Sequence, residues 1–163
     1  MNDPDGQGES GQLAGFLPYQ LSVTSNAVSS LIAERYRRRF GLKIPEWRVM
    51  AVLGDAGSAT QRDLAAATVM DKVAVNRAVK VLEDRGLVGR VPNPEDGRSH
   101  LLELTGEGRA IHAEVMPLAR ATEHELIEGL AAGEEDALRR LLVGLRQRAE
   151  ALAHQTQTGP QRD

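Results

Sequence analysis

The side chains with the most evident chemistry in this sequence lie on one face of a predicted helix, Lys72–Arg85. Apolar residues recur there at helical spacing and define a face to be buried: Val75, Ala78, Val79 and Leu82. The opposite face carries cationic, amide and small apolar groups: Lys72, Val73, Asn76, Arg77 and Lys80. Lysine and arginine suit phosphate or guanine, an amide suits adenine, and valine suits the thymine methyl group. Such a face is typical either of a helix that reads a DNA groove or of a solvated amphipathic helix.

A second candidate is the segment Asn93–Thr105, which carries an Asp-Gly-Arg tip. It joins two β-prone runs, Val88–Val91 and Ser99–Leu104, through Pro, Asn and Gly residues that predict a hairpin with a long loop. A purely structural hairpin does not need a cation at its tip. Beside a reading helix, the hairpin would place Arg98 in a narrow minor groove, whose negative potential attracts a guanidinium.

The predicted nucleic-acid interface extends beyond the helix face. Its further members are Gln61, Arg90, Asp96, Arg98 and Ser99. An acid near phosphate is unfavourable unless it orients a cation, so Asp96 is predicted to pair with Arg98 or Arg90. The alternative is a simple turn former before Gly97.

Helical segments surround these residues on both sides. The predicted helices are Tyr19–Phe40, Glu46–Leu53, Thr60–Ala67, Lys72–Arg85, a long helix opened by Thr105, and Glu134–Ala153. Thr60 followed by Asp63 has the pattern of a capping box, and Asp71 can cap the next helix. Glycines are expected to end the helices, at Gly41, Gly54, Gly57, Gly86 and Gly133. Pro117 is expected to bend the long helix.

The order of these elements predicts a mainly α fold with a small β-hairpin. Two helices joined by about four residues have the spacing of a helix-turn-helix, and the hairpin then forms its wing. We assign residues 44–104 to this winged domain, and residues 13–43 and 105–153 to a helical dimerisation region formed by both termini. The apolar stripes Leu21–Ile32 and Leu138–Leu145 lack an obvious partner within so small a domain, which favours a homodimer. Residues 1–12 and 154–163 are predicted to be disordered or flexible tails.

Charge is distributed unevenly along the chain, although the net charge is only −3. Residues 31–98 hold thirteen Lys and Arg against nine Asp and Glu, whereas residues 99–163 hold seven against eleven. The local field steers a ligand more than the total charge does. The middle of the chain therefore suits a polyanionic partner, with ordinary surface scatter as the alternative.

Several function classes are not supported by this sequence. Cysteine is absent, so there is no disulfide framework and no thiolate nucleophile. The four histidines lack the spacing of metal ligands, and the acidic runs are typical of helix first turns and solvated faces. No apolar run approaches the ~18 residues of a membrane span, and the N-terminus lacks the features of a signal peptide. We predict a cytoplasmic protein that is not an enzyme and needs no metal or cofactor.

The sequence from Leu64 to Ile111 resembles the core of the MarR family of bacterial winged-helix transcription regulators. The resembling parts are the R-x-x-x-x-L-E-x-x-G-L-V run, the D-x-R wing and the L-T-x-x-G start of the next helix. The resemblance covers about residues 13–150 and implies a homodimer that binds a pseudo-palindromic operator in double-stranded DNA. It implies that Arg98 is the wing arginine, that Asp96 is the acid of the same wing, and that Lys72–Lys80 is the recognition helix. Val73 and Ala74 stand where the family often has Ser or Thr, which leaves the base preference open.

The run Arg35–Phe40 holds four arginines near a helix C-terminus and allows several interpretations. The arginines complement the helix dipole, contact backbone phosphates or bind an anionic effector. The start of the chain also resembles family members that respond to hydroxycinnamoyl-CoA thioesters, which implies an aromatic acid or aryl-CoA thioester as the effector. Candidate pocket residues are Ser22, Asn26, Arg38, Arg39, Trp47 and Met50. For Trp47 and Met50 the alternative is core packing.

The function predicted from these observations is that of a repressor released from its operator by a small molecule. The alternative is a winged-helix module that binds another protein and has no sequence-specific DNA binding. A strongly salt-dependent affinity for duplex DNA would separate the two, because phosphate contacts release counterions.

Overall fold

The computed structural model describes residues 13–157, and within that range it contains six named helices and three short strands. The first half of the chain forms α1 (Leu17–Phe40), α2 (Ile44–Ala56), β1 (Ser58–Ala59), α3 (Gln61–Thr68) and α4 (Lys72–Asp84). The second half forms β2 (Val88–Pro92), β3 (His100–Leu104), α5 (Gly106–Ile127) and α6 (Glu134–Gln157). The predicted tail at residues 1–12 lies outside the described residues. Of the predicted tail at residues 154–163, the first four belong to α6 and the rest lie outside.

The chain divides into two units, one that ends at Thr122 and one that begins at Glu123. The first unit contains a single apolar core built from α1 to α5 and the strands, with Leu64, Val79 and Leu82 among its fully buried side chains. The second unit contains the end of α5 and all of α6. Its helix α6 leaves large apolar side chains exposed: Leu138, Leu141, Leu142 and Leu145.

Local capping explains where the two central helices begin. The Thr60 hydroxyl accepts the backbone N–H of Asp63 at 3.2 Å, and the Asp63 carboxylate accepts the backbone N–H of Thr60 at 3.2 Å. The Thr60 hydroxyl also donates to the Asp63 carboxylate at 2.7 Å, and this bond, together with the one from the Thr60 backbone N–H, lowers the pKa of Asp63. Asp71 caps α4 by accepting the backbone N–H of Ala74 at 2.8 Å. The predicted capping box and the predicted cap are both confirmed.

The turn between α3 and α4 contains a strained residue. Val69 has a φ of +55° and is 89% exposed. A β-branched side chain rarely adopts this left-handed conformation, because its Cβ approaches the backbone. The turn therefore depends on its two flanking helices, which hold Val69 in place by their packing.

The hairpin prediction is confirmed, with strand ends that differ by one residue. The sheet has the antiparallel order β1-β3-β2, and Val88 pairs with Leu104 while Pro92 pairs with His100. The strand β1 was not predicted, because two residues are too few to show an alternating pattern. Ser58 and Ala59 pair with Glu103 and Leu102 and so close the other edge of β3.

The chain enters α5 through a tight junction with the end of α4. The Thr105 hydroxyl donates to the Gly86 carbonyl at 2.7 Å and accepts the backbone N–H of Gly108 at 3.0 Å. A Cβ on Gly108 would lie only 2.0 Å from the carbonyl oxygen of Leu87. The L-T-x-x-G motif therefore has a packing reason, since only glycine lets the two backbones approach this closely.

One predicted helix end was wrong. Gly54 does not end α2, which continues to Ala56 and is closed by Gly57 with a φ of +79°. Gly54 instead gives space to a side chain of α5, because a Cβ there would lie 2.2 Å from Nε2 of His112. The helix α2 thus continues through a glycine whose role is packing.

Three rings from three helices pack together within the first unit, with His112 stacked on Trp47 and Tyr36 tilted against it. The Tyr36 and Trp47 ring centroids are 5.7 Å apart, and those of Trp47 and His112 are 5.6 Å apart. Burial raises the pKa of Tyr36 to about 12 and lowers the pKa of His112. The stack therefore favours a neutral phenol and a neutral imidazole, and it ties α1, α2 and α5 together.

Candidate nucleic-acid interface

The helix α4 has the two faces that its sequence predicted. Val75, Val79 and Leu82 are fully buried, and Ala78 is nearly so. All five predicted reading residues are exposed: Lys72, Val73, Asn76, Arg77 and Lys80. Val73 is 57% exposed, so its apolar side chain is open to a partner together with the polar ones. The exposed face of α4 is therefore available to a partner along its whole length.

Two open depressions flank this face. One, of about 580 Å³, lies between the start of α3, the start of α4 and the hairpin, and it brings together six predicted interface residues: Gln61, Lys72, Arg90, Asp96, Arg98 and Ser99. The other, of about 720 Å³, lies beside the start of α2 and is bordered by the remaining four: Val73, Asn76, Arg77 and Lys80. All ten predicted interface residues thus border one of the two depressions that flank the exposed face of α4.

Sequence reasoning missed four residues with nitrogen-bearing side chains that border these depressions. They are Lys43, Arg62, Asn93 and His100. Lys43 and Arg62 belong to the basic middle block, and Arg62 directly follows Gln61, so their charge was a usable signal. Asn93 and His100 carried no such signal, because their positions depend on how the hairpin folds back.

The hairpin loop is held by hydrogen bonds from its own polar side chains. Asn93 donates from Nδ2 to the Ser99 hydroxyl at 2.8 Å and accepts the backbone N–H of Glu95 at 3.0 Å. Asp96 accepts the backbone N–H of Arg98 at 3.0 Å through its carboxylate. Asp96 is therefore a turn former, the second of its two predicted roles, and no guanidinium pairs with it among the described residues. The loop orders its backbone while leaving the Arg98 side chain exposed.

The cations of the interface fall into two groups. Lys80 donates to Asp84 at 2.7 Å, and Arg90 pairs with Glu83, and each pair raises the pKa of its cation. Within residues 13–157, Lys72, Arg77 and Arg98 form no ion pair. These three side chains therefore keep their full hydrogen-bonding capacity for an anionic partner.

The six predicted effector residues do not share one surface. Trp47 and Met50 are core residues, the alternative predicted for them, with 8% and 0% of their surfaces exposed. Ser22, Asn26, Arg38 and Arg39 are exposed on α1. Arg39 pairs with Glu114 of α5 and lies over the Phe40 ring, whereas Arg38 borders a depression of about 480 Å³ along α1.

Other chemistry finds little support in the part of the chain that is described. Among residues 13–157, no group of three or more His, Cys, Asp or Glu side chains is placed to hold a metal ion. Across the same residues, no helix has both the length and the apolar character of a membrane span.

Comparisons with known proteins agree with the geometry. A sequence model of the MarR family matches residues 40–99. The solved MarR family transcriptional regulator SPO1453 of Silicibacter pomeroyi is 35% identical, with a TM-score of 0.69 over 82% of this chain and 97% of its own. A mutant MarR of Escherichia coli, solved in complex with operator DNA, is 27% identical, with a TM-score of 0.70 over 79% and 92%. The transcriptional repressor IacR of Pseudomonas putida is 25% identical over 67% of this chain, and the match spans 65% of IacR.

The exposed reading helix and the arginine-tipped hairpin define a winged helix-turn-helix protein. The chain belongs to the MarR family of transcriptional regulators. It is a regulator of transcription and not an enzyme, as its sequence predicted.

Proposed function

We infer that this protein is a dimeric repressor that binds a pseudo-palindromic operator and releases it when a small aromatic acid or aryl-CoA thioester binds. The observation that carries this proposal is the exposed face of α4 beside the Arg98 hairpin, where Lys72, Arg77 and Arg98 form no ion pair with any residue that the structure describes. The similarity to a MarR solved with operator DNA supports the same use of the face.

The interface residues divide by their chemistry. In this proposal α4 enters the major groove, where Asn76 can bind adenine through its amide and Val73 can contact a thymine methyl group. Arg77 can donate to guanine or phosphate, and Lys72 at the start of the helix suits a phosphate. The hairpin reaches the neighbouring minor groove, where the Arg98 guanidinium meets the strongest negative potential.

Exposed apolar side chains support the dimer. Phe16, just before α1, and Leu17 and Tyr19 in its first turn are exposed, and α6 exposes Leu138, Leu141 and Leu142, with Leu141 71% exposed. A monomer rarely leaves this much apolar surface in contact with water. A second copy of the chain can cover both sets, and it places two reading helices about one duplex turn, ~34–36 Å, apart.

The effector part of the proposal rests on the join between α1, α2 and α5. The rings of Tyr36, Trp47 and His112 meet at this join, where His112 is the partly exposed member, and Ser22 and Asn26 are exposed polar residues of α1. Arg38 and Arg39, at the end of α1, suit the carboxylate or phosphates of a ligand. A ligand shifts the spacing of the reading helices only if it binds one spacing better than the other.

A mobility-shift titration tests the proposal directly. The protein is titrated against duplex DNA from beside its own gene over a range of salt concentrations, with and without aromatic acids and their CoA thioesters. We expect tight binding that weakens steeply with salt, and release by at least one compound. Duplex binding without any release would refute the effector part alone, whereas weak binding with no sequence preference would favour the protein-interaction module.

Arg98→Ala should lower operator affinity roughly tenfold and reduce the steepness of the salt dependence by about 0.9 in log–log slope. The reason is that Arg98 lies at the loop tip, forms no ion pair among the described residues and contributes nothing to the core. Binding is measured by fluorescence anisotropy at salt concentrations between about 50 and 200 mM, a range over which the loss of one phosphate contact measurably changes the affinity. Each affinity is determined to about a factor of two.

Arg98→Lys is the matched control for this prediction. It keeps the charge but loses the planar guanidinium, so it should keep the salt slope and lose part of the affinity. Thermal unfolding of both variants should match that of the original protein. An Arg98→Ala variant with unchanged affinity and slope would remove the hairpin from the interface.

A further inference from the structure

Arg90 differs from the other arginines of the interface because its guanidinium is already engaged. Its Nε donates to Oε1 of Glu83 at 2.5 Å, and its Nη2 donates to Oε2 of the same carboxylate at 3.2 Å. The two groups thus form a bidentate, fork-to-fork pair, the geometry that arginine and carboxylate form most strongly. Glu83 lies in the last turn of α4, and Arg90 lies in the middle of β2.

The pair is less exposed than the neighbouring pair of Lys80 and Asp84. The Glu83 side chain is 23% exposed and that of Arg90 is 45% exposed, against 60% and 72% for Asp84 and Lys80. Partial burial limits screening by salt and water, so the Glu83 pair holds its geometry better than a fully solvated pair does. The carboxylate also neutralises the charge that Arg90 would otherwise offer to a phosphate.

The pair connects the reading helix to the hairpin across the turn that joins them, in addition to the backbone hydrogen bonds of that turn. The chain passes from α4 to β2 through Gly86, which has a φ of +69° and no neighbour within 4 Å of a Cβ position. Arg90 pairs across the sheet with Leu102 of β3, and the hairpin then continues to the loop that carries Arg98. The Glu83–Arg90 pair therefore adds a side-chain contact between α4 and the hairpin beyond the turn at Gly86.

We propose that Arg90 is a positioning residue that, through Glu83, holds the hairpin at the angle at which Arg98 reaches the minor groove while α4 occupies the major groove. This differs from the sequence prediction, which placed Arg90 among the residues that contact DNA. The inference rests on the proposed function, because it concerns how the same interface is held in shape before DNA arrives.

Glu83→Gln separates the two roles because they predict opposite signs. If Arg90 contacts DNA, removing the acid frees its guanidinium and removes a negative charge near the phosphates, so affinity rises. If Arg90 positions the hairpin, the same change loosens the hairpin, and affinity for the operator falls roughly fivefold. Asp84→Asn is the matched control: it removes the adjacent acid, which holds only the exposed Lys80, and should leave affinity unchanged or raise it.

Arg90→Gln supplies a second readout that a mere loss of stability would not change. We expect affinity to fall with the salt slope unchanged, because no phosphate contact is lost, whereas loss of a phosphate contact reduces the slope by about 0.9. Hydroxyl-radical footprints should lose protection where the hairpin crosses the minor groove and keep it where α4 lies. The exchanged double variant, Glu83→Arg with Arg90→Glu, should bind the operator with an affinity within about a factor of two of that of the original protein, because the pair re-forms in reverse.

Three results would overturn the inference: higher or unchanged affinity in Glu83→Gln, a reduced salt slope in Arg90→Gln, or no recovery in the exchanged variant. Thermal unfolding of each variant, followed by circular dichroism, checks that the fold is retained. If the original protein itself does not bind duplex DNA, the proposed function fails and the positioning role fails with it. Normal binding by the original protein with any of the three results refutes the positioning role alone.

Discussion

Replacing Gly108 by alanine should lower the free energy of unfolding by about 3 kcal/mol. The added methyl group would lie 2.0 Å from the carbonyl oxygen of Leu87 and 3.0 Å from its carbonyl carbon. Both are backbone atoms, and the same carbonyl oxygen accepts the backbone N–H of Thr105 at 3.0 Å. The methyl group therefore cannot be accommodated by a side-chain rotation and must separate α5 from the end of α4.

Gly106→Ala is the control, since it makes the same change two residues earlier in α5, where a Cβ has no neighbour within 4 Å. Its stability should stay within about 0.5 kcal/mol of the original. Urea unfolding followed by circular dichroism measures both variants. Equal stabilities of Gly108→Ala and Gly106→Ala would show that the backbone contact at Leu87 is not the reason for the L-T-x-x-G motif.

Leu142→Asp should abolish the dimer and lower operator affinity on the order of 100-fold, because binding at two half-sites gains from their linkage. Leu142 is 46% exposed on α6, within the apolar stripe that we assign to the dimer interface. A carboxylate buried in an apolar interface loses its hydration without a compensating partner. Sedimentation velocity measures the oligomeric state, and anisotropy with full and half operators measures the affinity.

Gln147→Asp is the matched control for Leu142→Asp. It adds the same negative charge to α6, but at helical spacing it falls on another face of the helix and removes no apolar side chain. This variant should remain a dimer and keep most of its affinity. A soluble Leu142→Asp variant that still sediments as a dimer would place the interface elsewhere.

The acids at the end of α4 limit the number of cations that the proposed DNA interface can offer. Net charge is −3, yet the two acids at the end of α4, Glu83 and Asp84, each hold a cation of the same surface. Among the described residues, the interface cations without an ion pair are Lys72, Arg77 and Arg98, together with Lys43 and Arg62 at the borders of the two depressions. Because few cations are unpaired, the logarithm of the DNA affinity should fall only modestly with the logarithm of the salt concentration. Each unpaired cation should then account for a large share of that slope.

Much of this protein can be predicted from sequence where the signal is local. The two faces of α4 follow from its apolar spacing, and the helix starts at Thr60 and Asp71 follow from side chains that reach backbone N–H groups three residues away. The hairpin follows from its turn residues, and the family follows from the combination of these segments. Each of these features is set by residues close together in the chain, so no knowledge of packing is needed.

What the sequence did not predict involves partners brought together only by packing. Gly54 gives space to His112, which lies 58 residues further along, and Gly108 gives space to the backbone at Leu87. Arg90 has a guanidinium as suited to phosphate as that of Arg98, and only the folding of β2 against α4 places it on Glu83. Residue type states what a side chain is able to bind, whereas the three-dimensional arrangement selects which partner lies within reach.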